Sequence, residues 1–274
     1  MWRLFQLISQ ENCSVVVMCG DRRFCFLGSF PLVYKKKKVK LLIYLTGDTH
    51  GGLDGGKLIV FAETEEGRNL TKNDYVIILG DFGYIFYPER NPKEELELNR
   101  FKNYPWTTLF LDGNHENFTR LRGYDMSKWN GGWVHKIHDS LYHLERGQIF
   151  NIEGKRLFVM GGAVSIDKGY RREGVSWWPE ENVSFLECER GLMNLDRYDN
   201  KVDFILTHTC PNHFIKKLSS YIVKDPASDF FDELKKSVKF KRWYFGHHHV
   251  DLDIGKYSCL YDRVVRLGEK ESVA

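Results

Sequence analysis

The chain has 274 residues, 42% apolar and 28% charged, with a net charge of +3 from 40 basic and 37 acidic side chains. That length suffices for one large domain with a sizeable buried core, and the composition is ordinary for a globular protein. The charge excess is too small to imply a nucleic-acid partner, and no apolar run reaches the roughly 18 residues of a membrane span. Six cysteines (Cys13, Cys19, Cys25, Cys188, Cys210 and Cys259) are scattered without a C-x-x-C pair. Such scatter favours reduced thiols over a disulfide framework, so the expected setting is cytoplasmic.

Residues 1–39 hold half of the cysteines, show no clear helical or strand period, and lead into the lysine run 35–38 with Lys40. They read as an N-terminal appendage, either poorly ordered or an over-extended start of the reading frame. The lysine run reads as a solvated linker, with a phosphate-backbone contact as the lesser alternative. Residues 40–270 read as one domain. Within it, apolar runs lead into polar tips: 39–46 into Gly47-Asp48, 75–79 into Gly80-Asp81, and 106–111 into Asp112-Gly113-Asn114-His115. Later runs at 156–160, 202–206 and 241–245 lead into Gly161-Gly162, Thr207-His208 and Gly246-His247. Short apolar runs bounded by glycine and polar residues suit strands buried on both faces. Helices are expected at 92–103, 179–197 and 228–238, and hairpins over 133–159, with turns at Arg146-Gly147 and Glu153-Gly154. The alternation implies a layered α/β domain with a mixed sheet or two packed sheets. In such folds ligands sit beyond the carboxyl ends of the strands.

Five segments carry metal-ligating side chains at such strand ends: Asp48 with His50, Asp81, Asn114 with His115, His208, and His247 with His249. Mixed oxygen and imidazole donors of this kind bind Zn, Mn, Fe or Ni. Asp48 and His50 are two apart, as are His247 and His249, so on an extended chain each pair shares one side and His248 points away. The plain alternative, a set of satisfied core polar residues, has little weight against five such segments. Asp54 and Asp112 read as turn formers. Glu116 reads as a support for the helix that follows it. His135, His138, His143 and His213 lack matching partners and read as structural or exposed. Cys210 reads as a small buried apolar residue.

In order, these blocks are D-x-H, G-D, G-N-H-E, a lone His and G-H-x-H. At them the sequence resembles the calcineurin-like metallophosphoesterase superfamily over about residues 43–250. The resemblance implies an αββα sandwich with mixed sheets and a metal site at the C-terminal ends of strands. It implies two divalent ions (Mn, Fe, Zn or Ni), one held by Asp48, His50 and His249, the other by Asn114, His208 and His247, with Asp81 bridging. His115 is then the catalytic residue beside the ions, a general acid or a stabiliser of the transition state. The implied reaction is two-metal hydrolysis of a phosphomonoester or phosphodiester by metal-activated hydroxide. The alternatives are a non-catalytic scaffold of the same fold and a nuclease. Protein serine/threonine phosphatases of this fold follow G-D with Asp-Arg; here Gly80-Asp81 is followed by Phe82-Gly83. Lys168, Arg171 and Arg172 are the candidate phosphate contacts, weighed against a solvated loop. Trp177 and Trp178 are candidates to stack on a ring, against lid or core packing.

Overall fold

The short apolar runs become strands whose side chains alternate between two buried layers. The computed structural model describes residues 3–8, 12–18, 24–31, 41–218 and 224–269. Residues 1–40 and 41–274 are separate compact units. The first holds strands β1 (Arg3–Ile8), β2 (Asn12–Met18) and β3 (Phe24–Pro31), paired as an antiparallel three-stranded sheet. These strands occupy a stretch in which the sequence shows no clear period. The lysine run at 35–38 lies outside the described residues.

In the second unit the chain runs through β4 (Ile43–Thr46), α1 (Gly56–Ala62), α2 (Glu65–Arg68), β5 (Tyr75–Ile78), α3 (Pro92–Arg100) and β6 (Thr107–Phe110). It continues through α4 (Phe118–Leu121), β7 (Met126–Trp129), β8 (Gly132–His138), β9 (Leu141–Leu144), β10 (Gln148–Ile152) and β11 (Lys155–Met160). It ends with α5 (Phe185–Asp196), β12 (Phe204–Thr207), α6 (Asn212–Leu218), α7 (Pro226–Ser237), β13 (Arg242–Phe245), β14 (Leu252–Ile254), β15 (Tyr257–Cys259) and β16 (Val265–Arg266).

Two mixed sheets form. One has the order β16-β4-β5-β6-β9-β8-β7, the other β10-β11-β12-β13-β15-β14. In each, four central strands are parallel (β4-β5-β6-β9 and β11-β12-β13-β15) and the margins are antiparallel. Ile43, Leu45, Ile77 and Leu109 of the first sheet share a buried layer with Leu157, Val159, Phe204 and Leu206 of the second. Their sequence neighbours face the other way. Tyr44, Val76, Ile78 and Phe110 meet Leu58, Phe61, Leu98 and Leu121 from α1, α3 and α4. Phe158, Met160 and Ile205 meet Leu195, Phe214, Phe231 and Leu234 from α5, α6 and α7. The result is an αββα sandwich, as the resemblance implies.

The helices start where local chemistry places them. Asn91 and Asp225 cap α3 and α7, each followed by proline at the first helical position. The helix expected from residue 179 begins at Phe185, because Ser184 and Glu187 form a reciprocal capping box there. A short 3-10 turn at Pro179–Glu181 precedes it.

Candidate metal centre

Five strand ends deliver polar side chains to one edge of the sandwich, just past β4, β5, β6, β12 and β13. His50 (φ 42°), Asp81 (φ 44°), His247 (φ 67°) and His249 (φ 49°) adopt left-handed backbone conformations. Such strained positions in non-glycine residues gather at functional sites. They also correct the strand-alternation argument: the chain is not extended at 247–249, and turns bring the two-apart pairs together.

Packing at these turns leaves no room for a Cβ. One on Gly113 would stand 2.1 Å from Asp81 Oδ1, and one on Gly80 would stand 2.1 Å from His208 Nδ1. Glycine at both positions lets the backbone pass against the side chains of Asp81 and His208.

The structure draws all seven sequence-identified residues into two overlapping groups. Ligand atoms of Asp48, His50, Asp81 and His249 lie within 4.8 Å of one another, as do those of Asp81, His208 and His247. Asn114 Oδ1 lies 3.2 Å from His208 Nε2 and so joins the second group. Asp81 belongs to both. Its Oδ2 lies 3.2 Å from His50 Nε2, while its Oδ1 lies 3.3 Å from His208 Nε2 and accepts from the backbone N–H groups of Asn114 and His115 at 2.8 Å. Asp48 Oδ2 lies 3.2 Å from His249 Nε2, and the His247 N–H reaches its carboxylate at 3.0–3.1 Å.

Outer contacts fix the imidazoles. His50 Nδ1 meets Asp54 Oδ2 at 2.6 Å, and His208 Nδ1 meets the Leu79 carbonyl at 2.8 Å. Each contact turns Nε2 toward the cluster, the usual arrangement around a ligating histidine. His249, half exposed at 50%, stacks on Tyr261 with centroids 4.8 Å apart. Lys57 donates to the Asp48 and Tyr261 carbonyls and so anchors the turn from below.

The charge balance suits cations. Burial disfavours a charge on His50 and His208, yet the surrounding carboxylates outweigh it and raise them to about 9 and about 10. Burial likewise opposes the Asp81 charge, but His208 and His50 hold its carboxyl well below the ordinary range. His247, buried among other imidazoles, is pushed down and is neutral. Protons therefore occupy a nest of carboxylates and imidazoles whose donor set is the kind that takes divalent ions.

Residues that sequence reasoning treated as scaffolding take part. Asp54 is the His50 partner and not merely a turn former. Asp112, directly before the Gly113 turn, is buried against Arg146, whose Nε and Nη2 approach Oδ2 at 2.8 and 2.5 Å, and against His143 Nε2 at 3.0 Å. Burial opposes its charge, but the Arg146 guanidinium and His143 hold its carboxyl far below the ordinary range. Glu116 does not serve the following helix, which Asn117 caps; its Oε1 accepts from the Phe82 N–H at 2.8 Å and ties two site turns together. His135 and His143 face one another across β8 and β9, with Nδ1 atoms 3.1 Å apart. His138 reaches the Leu98 carbonyl, and His213 lies beside Asp232 and Lys235.

A cleft of about 440 Å³ opens over the cluster, lined among others by Asp81, His115, Ile166, Arg171, Ile215 and His247. His115 stands beside the donors, its ring centroid 5.1 Å from that of His50. Of the three basic candidates, Arg171 alone lines the cleft. Lys168 pairs with Glu181 at 2.6 Å, and the exposed Arg172 donates its backbone N–H to Ser176 Oγ. Trp178 is buried against Phe86, and Trp177 lies under Lys168. His248 turns to Cys210, with Nε2 and Sγ 3.4 Å apart, though its ring still borders the cleft. Among the described residues Cys188, Cys210 and Cys259 are free thiols, and no helix is long and apolar enough to cross a membrane.

No curated protein matches the chain. A solved structure from Staphylococcus aureus, assigned as a 5'-nucleotidase and crystallised with alpha-ketoglutarate, aligns at 11% identity and a TM-score of 0.45. The alignment covers 81% of this chain and 48% of that one, so this chain spans about half its length. The model of the calcineurin-like phosphoesterase family matches residues 41–251, a span that contains every residue of the cluster, His115 and Arg171. The chain belongs to the calcineurin-like phosphoesterase family.

Proposed function

We propose that this protein hydrolyses a phosphoester with two divalent ions, held by Asp48, His50 and His249 on one side and by Asn114, His208 and His247 on the other, with Asp81 between them. The observation that carries the reading is Asp81 itself: its two oxygens face different donor groups. Two divalent ions, when bound, stabilise phosphoryl charge and lower the pKa of water.

The chain's own residues supply the rest. Asp54 and the Leu79 carbonyl orient the imidazoles. The cleft receives the ester beside His115, which is assigned to stabilise the leaving oxygen or to pass it a proton as the bond to phosphorus breaks. The attacking oxygen comes from water, so no side chain acts as a nucleophile. A scaffold without catalysis would have no use for the full donor set together with His115. The nuclease reading has no basic face among the described residues of the cleft to support it.

The test is turnover of p-nitrophenyl phosphate and bis-p-nitrophenyl phosphate by protein loaded with Mn, Zn, Fe or Ni, with His115→Ala as control. Metal-dependent hydrolysis of at least one ester, reduced about 10²–10⁴-fold in His115→Ala, is expected. Absence of turnover with every metal would overturn the reading.

A further inference from the structure

The cleft over the cluster has about 440 Å³, the size of a site for a small organic molecule, and a phosphate group at the donors accounts for only part of it. Besides the donors, four aliphatic side chains line it: Val164 and Ile166 from the segment after β11, and Ile215 and Leu218 from α6. The α6 pair is three residues apart and so shares one face of that helix. Ile166 is 73% exposed although three other aliphatic side chains border the same space. Single exposed apolar residues are normal on a surface, but several gathered in one concave site mark a binding surface.

The polar side chains of the same walls are already engaged within the protein. Ser165 Oγ donates to Glu181 Oε2 at 2.7 Å, and the Thr209 hydroxyl is shielded from solvent. Asp225 Oδ1 accepts from the Ala227 N–H at 2.8 Å, and its Oδ2 faces the Val164 N–H at 3.4 Å. Arg171 Nε and Nη2 reach Asp167 Oδ2 at 2.8 and 2.7 Å, and Nη1 lies 3.4 Å from the Ser176 carbonyl. Its terminal nitrogens also lie 3.3 Å from the ring nitrogens of His115. Arg171 is the one arginine or lysine among the described residues that line the cleft, and Asp167 balances its charge. No lysine or arginine among them is left to face a second anionic group on a ligand, which would meet Asp225 instead.

We propose that the cleft selects phosphoesters whose organic part is apolar and uncharged, an alkyl or aryl group without a further phosphate or carboxylate, a reading that rests on the phosphoester function proposed above. The phosphoryl group sits at the donors beside His115, and the carbon skeleton lies against Ile166, Ile215 and Leu218. Each methylene moved from water onto such a wall strengthens binding by up to about fourfold. A carboxylate in the same place would give up its hydration with no cation to replace it. An organic part rich in hydroxyls, such as a sugar, would lose hydrogen bonds to water that these aliphatic side chains cannot return.

The test is calorimetric binding of methylphosphonate, hexylphosphonate and 6-phosphonohexanoate, whose C–P bonds ester hydrolysis leaves intact, to the Mn-loaded full chain and to its Ile166→Ser and Ile166→Ser/Leu218→Ser variants. Hexylphosphonate is expected to bind about tenfold or more tightly than methylphosphonate. The matched chain ending in a carboxylate, 6-phosphonohexanoate, is expected to show none of that gain. In the double variant the preference for hexylphosphonate is expected to shrink by about threefold or more, with methylphosphonate affinity and metal content unchanged. Ile166→Ser alone, at an exposed position, is expected to move the ratio in the same direction and keeps the test valid should the double variant not fold. Equal affinity for methylphosphonate and hexylphosphonate would overturn the proposal, as would equal affinity for hexylphosphonate and 6-phosphonohexanoate, or a parental ratio in both variants. Should the preference hold while neither nitrophenyl ester is turned over, the catalytic reading falls and the ligand class stands.

Discussion

Asp54 Oδ2 lies 2.6 Å from His50 Nδ1, four residues away across a 3-10 turn whose Gly51 has φ 60°. The contact fixes the tautomer and the rotation of the His50 ring. Outer partners of this kind change metal affinity by about 10–100-fold when removed. Asp54→Ala is therefore expected to bind Mn or Zn more weakly by that factor while melting at nearly the parental temperature. Metal titration with thermal denaturation of the metal-free protein checks both halves.

Gly113 is a steric requirement. A methyl group there would meet Asp81 Oδ1 at 2.1 Å, Asp81 N at 2.4 Å and His208 Nε2 at 2.7 Å. Asp81 and His208 must shift, and both are assigned as ligands. Gly113→Ala is expected to lose measurable metal, and with it turnover, while the sandwich persists. Metal analysis alongside far-ultraviolet circular dichroism separates these outcomes.

Arg146 is buried and neutralises Asp112 while also reaching Glu187 Oε2 at 3.2 Å and the Asn182 carbonyl at 3.0 Å. Removing it strips the buried Asp112 carboxylate of its guanidinium partner, a loss of about 3–5 kcal/mol. Arg146→Met is expected to lower the urea midpoint accordingly. Asp112→Asn in the same background is expected to restore part of the loss, because the stranded charge is gone.

His135 gives stability a dependence on pH. Burial first, then its histidine neighbour, push it down to about 4, against an ordinary value of 6.5. Between those values the unfolded chain binds the proton and the folded chain does not, so acid favours unfolding there. The stability that depends on neutral His135 is complete above pH 6.5 and is lost as pH falls toward 4. Melting temperatures from pH 7 to 4.5 are expected to fall less steeply in His135→Asn than in the parent, each referred to its value at pH 7.

The cluster at the strand ends is legible in the sequence because each of its residues sits where a buried apolar run gives way to a polar tip. Both faces of β4, β5, β6, β11 and β12 are covered, which the unbroken apolar runs state directly. Spacing pairs Asp48 with His50 and His247 with His249, but left-handed turns at His50, His247 and His249, and not an extended chain, bring them to the cluster. Nothing in the immediate sequence around Asp54, Asp112 and Glu116 names their partners. Asp112 depends on Arg146, and Glu116 on the Phe82 backbone, contacts made only when separate turns meet. Lys168 and Arg171 look alike in sequence; Glu181 engages one, and the other reaches His115. The strands at 3–31 pair with one another, in a stretch without such signals.

In the proposed function Asp81 holds two ions, one on each oxygen. The most direct measurement is metal stoichiometry of the purified, Mn- or Zn-saturated chain and of Asp81→Asn, with p-nitrophenyl phosphate turnover measured on the same samples. About two ions per chain are expected in the parent, a bridging arrangement of the two-metal kind. Asp81→Asn is expected to retain one or none and to lose turnover. Parental stoichiometry together with parental turnover in Asp81→Asn would contradict the account.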